Sequence, residues 1–304
     1  MYPPFLQPND TIGIVATARW VTPDQMQPAI ALFESWGFRV QVSPAVFEKN
    51  HQLAGNDAMR LAALQEMLDN PELKAIVVAR GGYGTARIVD AIDWTAFLDQ
   101  PKWICGYSDI TVLLNALTNK GIAAIHSTMP ISFPDATTEA LEQLRRCLVG
   151  EKVPLVWSSS GITGVAEGEV VGGNLSVIYS QLGSRTQLDT RGKILFLEDV
   201  DEMLYHIDRM LVGLKRGGLF HEVKGVIFGG FTQIKDNTKA FGFSTDNPWG
   251  AGIEEMALAH FGGLNVPVSF GFPAGHLADN RAFYEGIRAS LVVEEGQSRL
   301  VFQY

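Results

Sequence analysis

Three side chains suited to acyl-transfer chemistry each sit just past an apolar, β-rich run. Ser108 follows Trp103-Ile104-Cys105-Gly106-Tyr107, and Glu198 follows Ile194-Leu195-Phe196-Leu197 directly. His276 follows the run at 266–270, after Phe272-Pro273-Ala274-Gly275. A hydroxyl nucleophile, an imidazole base and a carboxylate that holds the imidazole in one tautomer are the parts of a catalytic triad. A serine at a sharp strand-to-helix turn lifts its hydroxyl clear of the sheet, and the amides that open the helix point the same way. The G-x-S-x-G spacing is half met, because Gly106 is present and Ile110 stands where the second glycine belongs. Serine beside Asp109 is equally a helix N-cap, so this stretch alone leaves capping and catalysis both open.

Other chemistry is thinner. Gly81-Gly82-Tyr83-Gly84 joins the run at 74–80 to a helical stretch at 85–92. Bare amides there cradle an anion or simply make a tight turn. Neither G-x-G-x-x-G nor G-x-x-x-x-G-K-[ST] is present, which weakens nucleotide readings. His206 and His260 fall inside helical patterns. Glu198, Asp199, Asp201 and Glu202 cluster without a histidine at metal-motif spacing, and no metal or cofactor is expected. Cys105 lies within an apolar run, where a thiol packs as a small hydrophobe.

Strands alternating with helices must position these residues. In the first half, strands are expected at 11–18, 38–43, 74–80, 102–106 and 123–126. Helices are expected at 23–36, 57–69, 85–92, 109–120 and 137–148. That alternation predicts an α/β fold with a mainly parallel sheet, whose ligands sit beyond the carboxyl ends of the strands. The pattern breaks between Gly150 and Gly168. The expected organisation is an N-terminal α/β domain at 1–150, a linker at 151–168 and a second domain at 169–304, closed by a hairpin around Glu295-Gly296.

The chain has 304 residues, 46% hydrophobic and 19% charged, an ordinary balance for a full core. Its 24 basic and 33 acidic residues leave a net charge of −9, which argues against nucleic acid as partner. No apolar stretch is long enough for a membrane span and no secretory leader is recognisable, so a cytoplasmic protein is expected.

Five segments appear in order: Arg80-Gly81-Gly82-Tyr83-Gly84, Gly106-Tyr107-Ser108-Asp109, Glu169 to Leu175, Leu197-Glu198-Asp199 and Gly271 to His276. Together they resemble the LD-carboxypeptidase family, the murein tetrapeptide carboxypeptidases and the related microcin C immunity peptidases. The likeness runs from about Asp10 to the C-terminus. It implies a Ser108–Glu198–His276 triad and removal of the terminal D-alanine of a murein tetrapeptide. It also implies a C-terminal domain with a β-barrel-like core, and a homodimer. The oxyanion hole would use the backbone amides of Gly82 and Asp109. Gly81, Arg80 and the helix headed by Asn174 are the candidates for binding substrate, the last through its first amides. Arg80 is alternatively a structural ion-pair partner. The immunity-type alternative acts on an aminoacyl or peptidyl nucleotide and wants an aromatic stack, for which Trp249 and Trp157 are the candidates. A non-catalytic binding protein is the third reading. Tyr284-Glu285-Gly286 departs from the family pattern after the histidine.

Overall fold

A computed structural model describes residues 1–304. The chain forms two compact units, Met1–Val153 with Ala278–Gly286, and Pro154–Leu277 with Ile287–Tyr304.

In chain order the strands are β1 Thr11–Val15, β2 Arg39–Val42, β3 Leu73–Val78, β4 Trp103–Gly106, β5 Ala124–His126, β6 Leu155–Ser158 and β7 Gly161–Ile162. Then come β8 Gly164–Asn174, β9 Ile194–Val200, β10 Gly225–Thr232, β11 Val268–Ser269, β12 Phe283–Glu285, β13 Arg288–Glu294 and β14 Gln297–Phe302.

The first unit holds a six-stranded sheet in the order β12-β5-β4-β3-β1-β2. Strands β1 to β5 run parallel, as in Val77 beside Cys105 and Gly106 beside His126. A parallel sheet is covered on both faces, so its strands read as near-continuous apolar runs. Accordingly β4 is buried throughout and β3 at all but Lys74. Helix Pro23–Ser35 begins with a capping box between Thr22 and Gln25. Helix Asp57–Asp69 is capped by the Asn56 side chain.

The second unit is built on an eight-stranded mixed sheet, β6-β14-β13-β8-β9-β10-β11-β7. Strand β8 serves both parts: residues from Gly164 to Glu169 pair antiparallel with β13, and Val170 to Asn174 pair parallel with β9. Helix Leu204–Arg216 buries Ile207, Met210, Leu211 and Leu214, a one-sided apolar stripe, in a core with Leu195, Leu197 and Phe228. The sheet's end strands, β6 and β7, are joined in sequence by Ser159 and Ser160 but share no ladder. No helix is long and apolar enough to cross a membrane.

Three sequence expectations are corrected. Residues 151–168, expected as a linker, carry β6, β7 and the start of β8, whose alternating burial was masked by serines and glycines. The helix expected at 85–92 is two short 3-10 turns, Thr85–Arg87 and Val89–Ala91. Residues from Ala278 to Gly286, expected in the second domain, return to the first unit, where β12 pairs antiparallel with β5.

That return strand buries a carboxylate. Glu285 is fully buried, neither carboxylate oxygen has a hydrogen-bond partner, and Oε1 lies 3.7 Å from His126 Nδ1. Burial pushes its carboxyl well above the usual carboxylate range. The folded chain therefore keeps a proton that the unfolded chain releases above its ordinary value of 4.5. Stability falls as pH rises past that value, by up to about 1.4 kcal/mol per pH unit. Glu285→Gln is neutral at every pH. We expect it to match the wild type in thermal unfolding near pH 4.5 and to exceed it by at least about 1 kcal/mol at pH 8. An identical pH dependence in the two proteins would contradict the assignment.

Candidate active site

The chain gives Ser108 an unusual backbone. Ser108 has φ 64°, in the left-handed region that a non-glycine residue enters at a cost of about 1–3 kcal/mol. A helix N-cap has extended backbone, so Ser108 does not occupy a cap geometry. Instead it opens a 3-10 turn, Ser108–Ile110, that runs into helix Thr111–Asn119. From Lys102 to Thr118 every residue is buried except Ser108. The missing second glycine has a local explanation. A methyl on Gly106 would stand 2.9 Å from Ile110 Cγ2, so Ile110 fits because residue 106 is bare.

The turn after β3 adjoins this serine. A methyl on Gly81 would stand 3.4 Å from Ser108 Oγ and 3.1 Å from Met129 Cε. Gly82 has φ 121°, and a methyl there would fall 2.6 Å from Arg19 Nε. Buried Asp109 joins the two turns: its Oδ2 accepts from the Thr85 amide at 2.9 Å and the Thr85 hydroxyl at 2.6 Å. Burial raises the Asp109 pKa, with the Thr85 bonds and a Gly84 amide bond working against it. Thr17 Oγ1 lies 2.7 Å from Thr85 Oγ1, and because the latter donates to Asp109, Thr17 donates to Thr85. The sequence singles out the Asp109 amide, whereas the role of its side chain shows only in the fold. Thr17 and Thr85 carried no signal either, since their roles depend on strands distant in sequence. Cys105 is fully buried and burial pushes its thiol strongly up, leaving it no thiolate.

Glu198 and His276 lie in the second unit and meet there. Glu198 sits within the buried run of β9 and is fully buried. Its Oε2 is 2.7 Å from His276 Nδ1 and accepts from the His276 backbone N–H at 3.2 Å. Two bonds from one residue require close approach, and a methyl on Gly275 would stand 2.7 Å from that same oxygen. The Gly230 amide donates to Ala274 O at 2.9 Å, and Thr232 Oγ1 to His276 O at 3.1 Å, so β10 fixes the loop. With Nδ1–H donating to the carboxylate, the assigned tautomer leaves Nε2 as the basic nitrogen. Burial opposes the imidazolium, yet the Glu198 bond and the charges of Glu198 and Asp199 outweigh it, raising the His276 pKa.

The neighbouring acids go elsewhere. Asp199 accepts from Asn174 Nδ2 and the Ser176 amide, each at 2.9 Å, and burial pushes its pKa up to about 7. The Val177 amide donates to Asn174 Oδ1 at 3.1 Å. The Ser176 and Val177 amides of helix Leu175–Ser180 are thus bonded to Asp199 and Asn174. Asp201 pairs with Lys235 and Glu202 with His206, so the acidic cluster disperses among separate partners. His260 pairs with Asp208 at 2.9 Å. Arg80 has no ion pair, contrary to its structural alternative. Trp157 is buried, with Nε1 donating to Ser269 Oγ and Phe270 O at 3.1 Å each, and offers no open face for a base. Trp249 is 44% exposed.

Residues 12–127 match the family model of the LD-carboxypeptidase N-terminal domain, and residues 167–291 that of the LD-carboxypeptidase C-terminal domain. A relative from Bacillus subtilis (strain 168), named a probable murein peptide carboxypeptidase, is 34% identical over 304 aligned residues, covering 96% of this chain and 92% of its own. The crystal structure of muramoyltetrapeptide carboxypeptidase from Oxalobacter formigenes aligns with a TM-score of 0.86 at 27% identity, over 97% of this chain and 99% of that one. MccF in complex with glutamyl sulfamoyl guanosine shares the fold, with a TM-score of 0.85 at 20% identity over 99% and 98% of the two chains.

The Glu198–His276 geometry sets a titration. Replacing Glu198 by Gln removes the charge that favours the imidazolium and leaves the burial that opposes it. We expect the His276 pKa in Glu198→Gln to fall by at least about one unit, read from its ring protons by NMR. An unmoved value would mean that Glu198 does not control this imidazole.

Proposed function

The chain belongs to the LD-carboxypeptidase family of serine peptidases, and on that premise we propose that it removes the terminal D-alanine of a murein tetrapeptide through an acyl-enzyme. The observation that carries this reading is Ser108, held at φ 64° at the open end of a buried strand and against the Gly81 turn. In the proposed reaction His276 Nε2 takes the Ser108 proton as Oγ attacks the carbonyl between the diamino acid and D-alanine. Glu198 holds the imidazole and stabilises its charged form. The amides of Gly82 and Asp109 stabilise the oxyanion, each donor contributing about 3–4 kcal/mol in comparable sites. His276 then protonates the departing amine, and water, activated by the same nitrogen, releases the shortened peptide. The reading includes a cytoplasmic homodimer, whose mass light scattering would measure.

Cleavage of an aminoacyl nucleotide is the second reading. Exposed Trp249 favours it, with its amide held by Asp236 Oδ1 at 3.0 Å, because a stacked base needs such a ring. Incubation with murein tetrapeptide and with an aminoacyl adenylate analogue, followed by mass spectrometry, separates the two. Loss of one D-alanine from the tetrapeptide is expected. Conversion of the adenylate alone would transfer the assignment to the second reading.

Triad members act as a unit, so Ser108→Ala and His276→Ala should each lower kcat by at least about a thousandfold, and Glu198→Gln by less. A fluorophosphonate should label Ser108 in the wild type. Unlabelled Ser108, with turnover intact in Ser108→Ala, would reject a serine mechanism.

A further inference from the structure

A cationic pair stands at the turn that adjoins Ser108, without a counter-charge. In the first sheet β1 lies between β2 and β3, so successive connections leave β1 on opposite sides. The crevice at the carboxyl ends of β1 and β3 is the switch point where open α/β sheets bind ligands. The chain leaves β1 through Ala16-Thr17-Ala18-Arg19 and leaves β3 through Ala79-Arg80-Gly81-Gly82. The two exits converge. The Arg19 side chain lies across Gly82, with Nε, Cδ and Cγ at 2.6, 2.8 and 2.9 Å from where a Gly82 methyl would stand.

Both guanidiniums are only partly open to solvent, and Arg19 Nε is buried with no hydrogen-bond acceptor. Burial, and then the charge of Arg19, lower the Arg80 pKa. No carboxylate pairs with either, whereas Arg60 and Arg87 both pair with Asp57. Two half-buried like charges without an anion are unfavourable in the empty protein. The arrangement becomes favourable when a carboxylate enters between forked donors.

The position fits the chemistry. A peptide's terminal carboxylate lies about one Cα spacing, ~4 Å, beyond the scissile bond. A clamp for it must therefore stand next to the nucleophile, and the Arg80–Gly82 turn does, through Gly81. At the alternative site, the helix after Asn174, the Ser176 and Val177 amides are already bonded within the chain to Asp199 and Asn174.

We infer that Arg19, together with Arg80, binds the free carboxylate of the substrate's departing residue and so restricts the enzyme to the last bond of the peptide. This rests on the carboxypeptidase reading above.

The test compares murein tetrapeptide as the free acid with the same peptide amidated at its C-terminus, in wild type, Arg19→Met and Arg19→Lys. Fluorophosphonate labelling of Ser108, a probe without a carboxylate, reports whether each variant keeps a reactive nucleophile. In the wild type we expect kcat/KM for the acid to exceed that for the amide by about 10- to 100-fold for each charged hydrogen bond lost. In Arg19→Met that preference should collapse by at least about tenfold, mainly through KM for the acid. Arg19→Lys, which keeps the charge and loses the fork, should fall between. A preference unchanged in Arg19→Met, or equal losses on acid and amide, would make Arg19 structural and overturn the clamp. D-Alanine released from the acid and D-alaninamide from the amide at equal kcat/KM by the wild type would overturn the clamp while leaving the peptidase reading standing. Labelled Ser108 with neither D-alanine from the acid nor D-alaninamide from the amide would overturn the peptidase reading, and the clamp with it.

Discussion

The bond between Asp109 and Thr85 is the constraint on which the nucleophile's surroundings depend. One buried carboxylate oxygen takes both the amide and the hydroxyl of Thr85, so the turn after β3 and the turn after β4 move as one object. The β3–β4 ladder aligns the two strands, and this bond ties together the turns that follow them. Thr17 extends the same network to the exit of β1, and buried Arg60 donates to Thr17 O at 3.0 Å from helix Asp57–Asp69. A fully satisfied polar network in low dielectric is rigid, and rigidity is what an oxyanion site and a carboxylate clamp both require. The strain at Ser108 is maintained by the same surroundings, because every neighbour from Lys102 to Thr118 is packed away from solvent.

The second unit meets a comparable demand differently. Glu198 and Asp199, adjacent in sequence, are both buried, and two neighbouring carboxylates repel. The chain separates them by strand alternation, which sends them to opposite faces of β9. Glu198 goes to His276, and Asp199 to Asn174 and the Ser176 amide. The Asp199 pKa is pushed up to about 7 by burial, with the Glu198 charge adding to it and the Val200, Asn174 and Ser176 bonds opposing it. Its charge also helps raise His276, so one acid bonds the imidazole and the other acts on it through space.

Part of the candidate site was legible in the sequence. Ser108, Glu198 and His276 stand out because each follows an apolar run, and the structure places Ser108 at the turn after β4, Glu198 within β9 and His276 in the loop after β11. The Gly81-Gly82 turn was visible because only glycine tolerates φ 121° and the Arg19 side chain lying across it. Other residues were misread for equally physical reasons. The alternation of β6 was hidden among serines and glycines that look like a loop. Phe283–Glu285 was assigned to the second domain by its place in the chain, whereas it pairs with β5 in the first.

The sequence by itself determined most element types of the first unit, the parallel pairing of β1 to β5 and the family, together with the residues of each motif. These follow from local periodicity, turn chemistry and the order of short segments, all of which are written along the chain. Only the tertiary structure decided that Arg19 lies over Gly82, that Thr85 binds Asp109 and that Asn174 donates to Asp199. Periodicity reports that a residue is buried or turned; it carries no record of which distant residue it meets. That depends on strand order, and strand order is set by the packing of the whole unit.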